Sequence, residues 1–373
     1  MATETPGAGA LLALLREEGA LTRAELATVT GLARSTISLR LDALAGAGWI
    51  MPADGAVSSG GRPATAFVFN PAARVVLAAD LGATHARLAV TDLDGRILAE
   101  RTDDLRIGDG PEKVLGWLSG EFPNLLGPAG RRLDEVCGLG LGLPGQVDHG
   151  SGRPGPEAKM PGWEGFDVPG LLGERLNVPV LVDNDVNIMA VGEHSTDPQV
   201  EHLILVKLGT GIGSGIITGR RLHRGARAAA GDVGHIPVAA AQGLPCACGK
   251  IGCLESVAGG AALAARLGVA DTREVVGLVL DGRPDALRLV GAAGRAIGEV
   301  LGTLVTFVNP SEVVIAGDLA EAGEPLLSGI RERIGAVAVP RTTEHLAVRA
   351  SHLGDRAGVT GAARLVIEHA LAF

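Results

Sequence analysis

Val182-Asp183-Asn184-Asp185-Val186-Asn187 reads as the end of a strand, residues 178–182, and the start of a helix. Its two carboxylates and two amides fall at the C-terminal edge of that strand, where ligands bind in open α/β sheets. One such residue can cap the helix, since Asn and Asp are preferred N-caps. Four together exceed what a cap requires. An Asp at this edge has the chemistry of a general base toward a sugar hydroxyl.

Outward from this stretch the pattern is an alternation of strands and helices. Residues 136–143 form another buried strand, separated from the first by a Gly/Pro-rich loop over 144–165. Upstream, 75–79, 86–90 and 97–100 read as strands, with a hairpin turn at Asp94-Gly95. Downstream, 203–208 and 216–218 are strands and 286–307 is a long helical pattern stopped at Asn309-Pro310. Residues 313–316 are a further strand and 356–371 a terminal helix.

Composition agrees with an α/β protein rich in tight turns, since 56 of 373 residues are Gly. With no Tyr, 3 Trp and 6 Phe, the core is aliphatic and base stacking on single strands is disfavoured. A net charge of −9 limits any DNA contact to a local surface. No run of 18 apolar residues suggests a membrane span, and the acidic Glu4 before the first leucines argues against a signal peptide. Four cysteines do not make a disulfide scaffold; a reduced, cytoplasmic setting and metal binding fit better.

The first seventy residues read differently. Leu11, Leu12, Leu14 and Leu15 form a short stripe, and Thr22 with Glu25 is a capping-box pattern. A helix beginning near Ser35 carries Ile37, Leu41 and Leu44 at helical spacing. A turn at Asp54-Gly55, the run Ser58-Ser59-Gly60-Gly61-Arg62-Pro63 and the strand-like Phe67-Val68-Phe69 complete a winged helix-turn-helix. Arg34, Ser35, Thr36 and Ser38 begin the helix expected in the major groove, with Arg40 one turn on. Arg62 at the wing tip suits a narrow minor groove. Five Arg against six acids over residues 1–70 is nearly neutral, so a protein-contact module is the alternative.

His235, Cys246, Cys248 and Cys253 offer one imidazole and three thiolates, a closed tetrahedral shell suited to structural zinc. Cys137 stands alone in an apolar strand and reads as a core cysteine. Two glycine turns follow strands. Asp80-Leu81-Gly82-Ala83-Thr84 has the groups for phosphate and Mg²⁺, and the glycines of Gly209-Thr210-Gly211-Ile212-Gly213 let backbone N–H groups approach an anion. The second is equally a simple hairpin turn.

Together these motifs resemble the ROK family of repressors and sugar kinases, from end to end of the chain. The resemblance rests on Asp80 to Thr84, Gly140-Leu141-Gly142-Leu143-Pro144-Gly145, Met160-Pro161-Gly162-Trp163, Asn184-Asp185, Gly209 to Gly213, and the run from Gly231 through Cys246-Ala247-Cys248-Gly249 to Glu255. It implies a winged helix-turn-helix over 1–71 and a two-lobed actin/hexokinase-like (RNase H-like) domain. The small lobe is expected over 72–183 plus the terminal helix 352–373, and the large lobe over 184–351. Sugar is expected at Asn184, Asp185, Asp232, His235 and Glu255, with His235 using its other ring nitrogen for zinc. A nucleotide, where retained, is expected at Asp80, Gly82, Thr84, Gly209, Thr210, Gly211 and Gly317.

The chain departs from the family pattern at three places. Asp232 replaces the usual Glu, His85 stands where a Lys is common, and Ala316-Gly317-Asp318 replaces a glycine run. The last two remove a cation and add a carboxylate, which count against tight ATP binding. The reading favoured is a repressor that binds operator DNA as a homodimer or homotetramer under control of a sugar. The alternative is an Mg-ATP-dependent sugar kinase with Asp185 as base; a sensor acting on a protein partner is a third.

Overall fold

The computed structural model describes residues 7–53, 65–157 and 160–371. Helix α1 (Ala8–Glu18) buries Leu11, Leu12 and Leu15. A two-residue strand, β1 (Leu21–Thr22), leads into α2 (Arg23–Thr30). The capping box is present: Thr22 Oγ1 accepts from the Glu25 N–H at 3.3 Å, and Glu25 Oε2 accepts from the Thr22 N–H at 2.7 Å. Gly31 ends α2 at φ +69°, a left-handed conformation that glycine adopts without steric cost. Helix α3 (Arg34–Gly46) buries the stripe Ile37, Leu41 and Leu44. Strands β2 (Ile50–Pro52) and β3 (Ala66–Phe69) pair antiparallel, and β1 adds to the other edge of β3. The expected turn at Asp54-Gly55 and the run from Ser58 to Pro63, with Arg62, lie outside the described residues.

The first large sheet contains β4 (Val75–Leu81), β5 (His85–Asp92), β6 (Ile97–Asp104) and β7 (Val136–Leu143). Helix α4 (Pro111–Leu126) lies between β6 and β7, and a small hairpin of β8 (Val147–Asp148) and β9 (Arg153–Pro154) follows. Helix α5 (Val168–Leu176) then leads to β10 (Val180–Asn184) and α6 (Asp185–His194). The strand order is β10-β7-β4-β5-β6, with β4 to β6 antiparallel and β7 and β10 parallel to β4. Asp80, Gly142 and Asp183 occupy one register row across three strands, at their C-terminal edge.

The second sheet repeats this plan. It holds β11 (His202–Leu208), β12 (Ile212–Thr218), β13 (Arg221–Leu222), β14 (Glu312–Ala316) and β15 (Ala347–Ala350), in the order β13-β12-β11-β14-β15. Between β13 and β14 come α7 (Glu255–Ala258), α8 (Gly260–Leu267), α9 (Thr272–Leu280) and α10 (Pro284–Val308); α11 (Glu324–Val337) and α12 (Pro340–Thr343) precede β15. Helix α10 is long and apolar enough to cross a bilayer, but Val290, Ile297, Leu301 and Val305 lie in the core of this lobe.

The chain ends in α13 (Ala357–Leu371), which packs on β7 and β4 of the first sheet, while α6 packs on β11 and β12 of the second. Each lobe thus carries the last helix of the other. The two helices cross through glycines: a methyl group at Gly361 would strike the Ile188 carbonyl, and one at Gly192 the Ala357 carbonyl. Leu11, Leu12 and Leu15 of α1 share one apolar core with Val359, Ala363 and Val366 of α13. Cys137 borders this core half-buried rather than fully enclosed, and burial pushes its thiol up to about 11.

Glycine in a helix interior is ordinarily worse than alanine by about 1 kcal/mol. At this crossing the sign reverses. Gly361→Ala is expected to destabilise the protein by about 1–3 kcal/mol, as overpacking does, read by thermal or urea denaturation. An unchanged or raised melting temperature would refute the backbone contact.

Candidate functional site

A cleft of about 840 Å³ opens between the two sheets. Asp80 and Thr84 line it from the first, Lys207 and Gly209 from the second, and Asn184 and Asp185 from the start of α6. That volume is in the range of small-molecule sites and exceeds one sugar ring.

The sequence placed four polar residues at this helix start, and each has a distinct task. Asn184 is the N-cap: its Oδ1 accepts from the N–H groups of Val186 at 2.9 Å and Asn187 at 3.1 Å. Its Nδ2 donates to the Gly145 carbonyl at 2.7 Å and to Asp185 Oδ1 at 3.0 Å. Asp183 is buried and accepts from Asn187 Nδ2 at 2.8 Å and Arg224 Nε at 2.7 Å. Asp185 alone turns its carboxylate into the cleft, and there it meets Lys207 Nζ at 2.7 Å.

Lys207 was not foreseen. It interrupts Leu203-Ile204-Leu205-Val206, four fully buried residues, and an ammonium in such a strand needs a partner. Burial works against its charge, but the Asp185 and Asp80 carboxylates outweigh burial and hold the ammonium firmly protonated. The cation that His85 fails to supply is therefore present, from a different strand. Burial and then Lys207 hold the His85 imidazole below its ordinary value. Its ring covers Gly82 so closely that a side chain there would collide with it. Asp318, the carboxylate that replaces a glycine of the family pattern, has a loose partner in Arg273 at 3.9 Å.

Asp80 lies against Gly358 in the first turn of α13, and its Oδ1 has no hydrogen-bond partner among the described residues. Burial pushes its carboxyl up to about 6, with Lys207 acting against that rise. The other glycine turn, Gly209 to Gly211, is the hairpin turn between β11 and β12 as well as a cleft wall. Carbonyls of Gly209 and Thr210 accept from the Gly260 and Ala261 N–H groups at the start of α8. Glu255 Oε2 accepts the Ile212 N–H at 2.9 Å, so this residue braces the turn besides facing the cleft. Gly317, at φ +84°, sits where a side chain would press on the Leu208 backbone.

His235, Cys246, Cys248 and Cys253 converge, with ligand atoms within 4.8 Å of one another. Cys248 and Cys253 Sγ are 3.7 Å apart, and Cys246 Sγ lies 3.5 Å from His235 Nδ1. A tetrahedral zinc shell, with Zn–S about 2.3 Å and Zn–N about 2.0–2.1 Å, has edges of about 3.8 Å and about 3.6 Å. The donor set and its spacing fit such an ion. Left-handed Gly249 and Gly252, at φ +85° and +89°, fold the loop back to bring the thiols together. His235 Nε2 points the other way, 3.9 Å from Asp232 Oδ1, and both residues line the cleft. Asp232 is too distant there for a direct hydrogen bond to the ring.

On α3, Arg34 and Ser35 are exposed and Thr36 and Ser38 half-exposed. Ala33 provides no side-chain cap, which leaves the first-turn N–H groups open to a phosphate. Arg40 is drawn partly inward, its Nη1 enclosed and without a hydrogen-bond partner among the described residues. Leu39, 74% exposed on the same helix, went unnoticed in the sequence. An exposed leucine there has the shape to meet a thymine methyl group.

The Asp80 carboxyl keeps its proton to about pH 6 when folded, whereas the unfolded chain releases it near 3.8. Unfolding therefore releases a proton between those values, and stability falls as pH rises through that window. Asp80→Asn is expected to stabilise the protein at pH 7.5 by about 1–3 kcal/mol and to change it little near pH 4. Melting curves at the two pH values decide this, and equal shifts at both would contradict it.

A sequence model of the ROK family matches residues 76–369, and one of the MarR family matches residues 5–51. The xylose repressor of Caldicellulosiruptor bescii is 28% identical over 375 residues, covering 95% of this chain and 93% of its own length. A glucokinase of Halalkalibacterium halodurans is 30% identical over 308 residues, covering 77% of this chain and 93% of its own. A solved ROK family transcriptional regulator, a homologue of the Escherichia coli MLC protein, aligns with a TM-score of 0.82 at 26% identity, over 98% of this chain and 95% of that one. The ROK model spans both five-stranded sheets and the cleft between them, well over half of the chain, and this chain belongs to the ROK family.

Proposed function

We propose that this protein is a sugar-responsive transcriptional repressor acting in the cytoplasm. Residues 1–71 bind operator DNA, and a sugar or sugar derivative bound between the lobes 72–183 (with 352–373) and 184–351 alters that binding. The carrying observation is the position of α13. It shares a core with α1 of the DNA-binding module and crosses α6, whose first residues form the floor of the cleft. Repressors that resemble the chain over 95% or more of its length support this reading, whereas the glucokinase covers only 77%.

Arg34, Ser35, Thr36, Ser38 and Arg62 contact the operator, with Arg40 contributing from its half-buried place. A single module buries little surface on DNA, so the protein acts as a homodimer or homotetramer. Asp185, Asp232, His235 and Glu255 hold the sugar hydroxyls, and Asn184 fixes Asp185 for that task. Zinc at His235, Cys246, Cys248 and Cys253 orients the His235 ring, leaving Nε2 for the ligand. For the sugar to change operator affinity tenfold, it must favour one lobe arrangement over the other by about 1.4 kcal/mol.

Two measurements test this. Anisotropy titrations of labelled DNA from the protein's own promoter region, with and without xylose, glucose and N-acetylglucosamine, are expected to identify a sugar that weakens binding at least tenfold. Asp185→Asn should keep DNA affinity and lose the sugar effect, and Arg34→Ala should weaken binding about tenfold or more, as loss of one good base contact does. DNA affinity unaffected by Arg34→Ala and by every sugar would overturn the proposal. For the metal, elemental analysis is expected to give one zinc per chain, lost in Cys248→Ser together with several degrees of melting temperature. Equal zinc in both proteins would remove the ion from the account.

A further inference from the structure

Lys207 does more than balance one carboxylate. Its Nζ donates to Asp185 Oδ2 at 2.7 Å, its side chain is only 17% exposed, and the charges of Asp80 and Asp318 also act on it. Asp80, only 6% exposed, lines the same cleft with an Oδ1 that has no hydrogen-bond partner among the described residues. Two buried carboxylates facing one cleft are the usual makings of a Mg²⁺ or Mn²⁺ site, and Mg²⁺ needs oxygen ligands at about 2.0–2.1 Å in octahedral geometry. An ammonium bonded to one of those oxygens takes the ion's place and repels it. The His85 ring over Gly82 closes the turn where a phosphate would need close backbone approach. The residues present do not fit a metal–nucleotide complex.

We infer that Lys207 is the resident cation of this cleft, a positioning residue that holds Asp185 as an acceptor for ligand hydroxyls and excludes a divalent ion. The charge a kinase borrows from its metal is here covalently attached to β11. The short Lys207 bond to Oδ2 fixes the Asp185 carboxylate in place, an arrangement suited to recognising a ligand hydroxyl. The inference builds on the cleft being the ligand site, but its test uses neither sugar nor operator, so the two readings fail separately.

The test is Mn²⁺ binding to the full-length, zinc-loaded protein, followed by the electron paramagnetic resonance signal of the free ion. Lys207→Met is expected to bind Mn²⁺ at least tenfold more tightly than the wild type. Adding Asp80→Asn to it should return the affinity to the wild-type value, and Lys207→Arg, which keeps the cation, should behave as wild type. Equal Mn²⁺ affinity in wild type and Lys207→Met would overturn the inference, as would a double variant that still binds tightly. Removing Lys207 leaves Asp185 buried beside Asp80, so folding is followed in parallel. If Lys207→Met and Lys207→Gln melt cooperatively only when Mn²⁺ is added, the ion is replacing the ammonium, as inferred. If Mn²⁺ restores neither, the inference fails.

Discussion

The structure depends on two helices that touch backbone to backbone. Helices α6 and α13 each leave one sheet and pack on the other, and they meet where Gly192 and Gly361 allow carbonyls to enter van der Waals range. No side chain can occupy that crossing without separating the lobes. Its position is also fixed at the far end. Buried Glu193, on the last turn of α6, accepts from Arg349 at 2.6 Å, from Ser351 Oγ at 2.7 Å and from the His352 N–H at 2.8 Å. Those residues form the return path from β15 to α13. The floor of the cleft, the helix crossing and the terminal helix thus form one packed unit, and α1 rests on the same helix.

The electrostatics of the cleft follow from this geometry. The crossing brings Asp80, Asp185 and the start of α13 into a space that water hardly reaches, and such a cluster is stable only with a counter-charge. Lys207 supplies it from the opposite sheet. Lys207 therefore pairs with Asp185 inside the larger lobe while facing the charge of Asp80 on the smaller one. A ligand that contacts Asp185 of the larger lobe and Thr84 of the smaller would act on both lobes at once, which is the differential contact a conformational switch requires.

Much of this was legible in the sequence because the local signals are strong. Asp94-Gly95 makes its hairpin, Thr22 and Glu25 make their capping box, and the eight residues 136–143 form a strand with the expected bounds. The polar run after residue 182 marked the cleft, though Asn184 is chiefly a cap and Asp183 is tied to Arg224. Short strands such as β1 and β13 were not legible, since two residues carry no period and their register comes from partners far along the chain. The second sheet's copy of the first leaves no sequence repeat, because topology is kept by burial and turns rather than by identity. Lys207 had a readable signal, a single cation inside an apolar strand, but its meaning depends on Asp185, 22 residues away, and on Asp80 across the cleft. Arg34 begins the expected helix, whereas the burial of Arg40 reflects packing that spacing alone does not fix.

In the proposed repressor the cleft and the DNA-binding module are energetically linked through α13. Linkage is reciprocal, so the most direct measurement is the affinity for the effector sugar, by calorimetry, with and without saturating operator DNA. Operator is expected to change sugar affinity by the same factor by which sugar changes operator affinity. A sugar that binds with identical affinity in both conditions would contradict it, whatever else the cleft is found to hold.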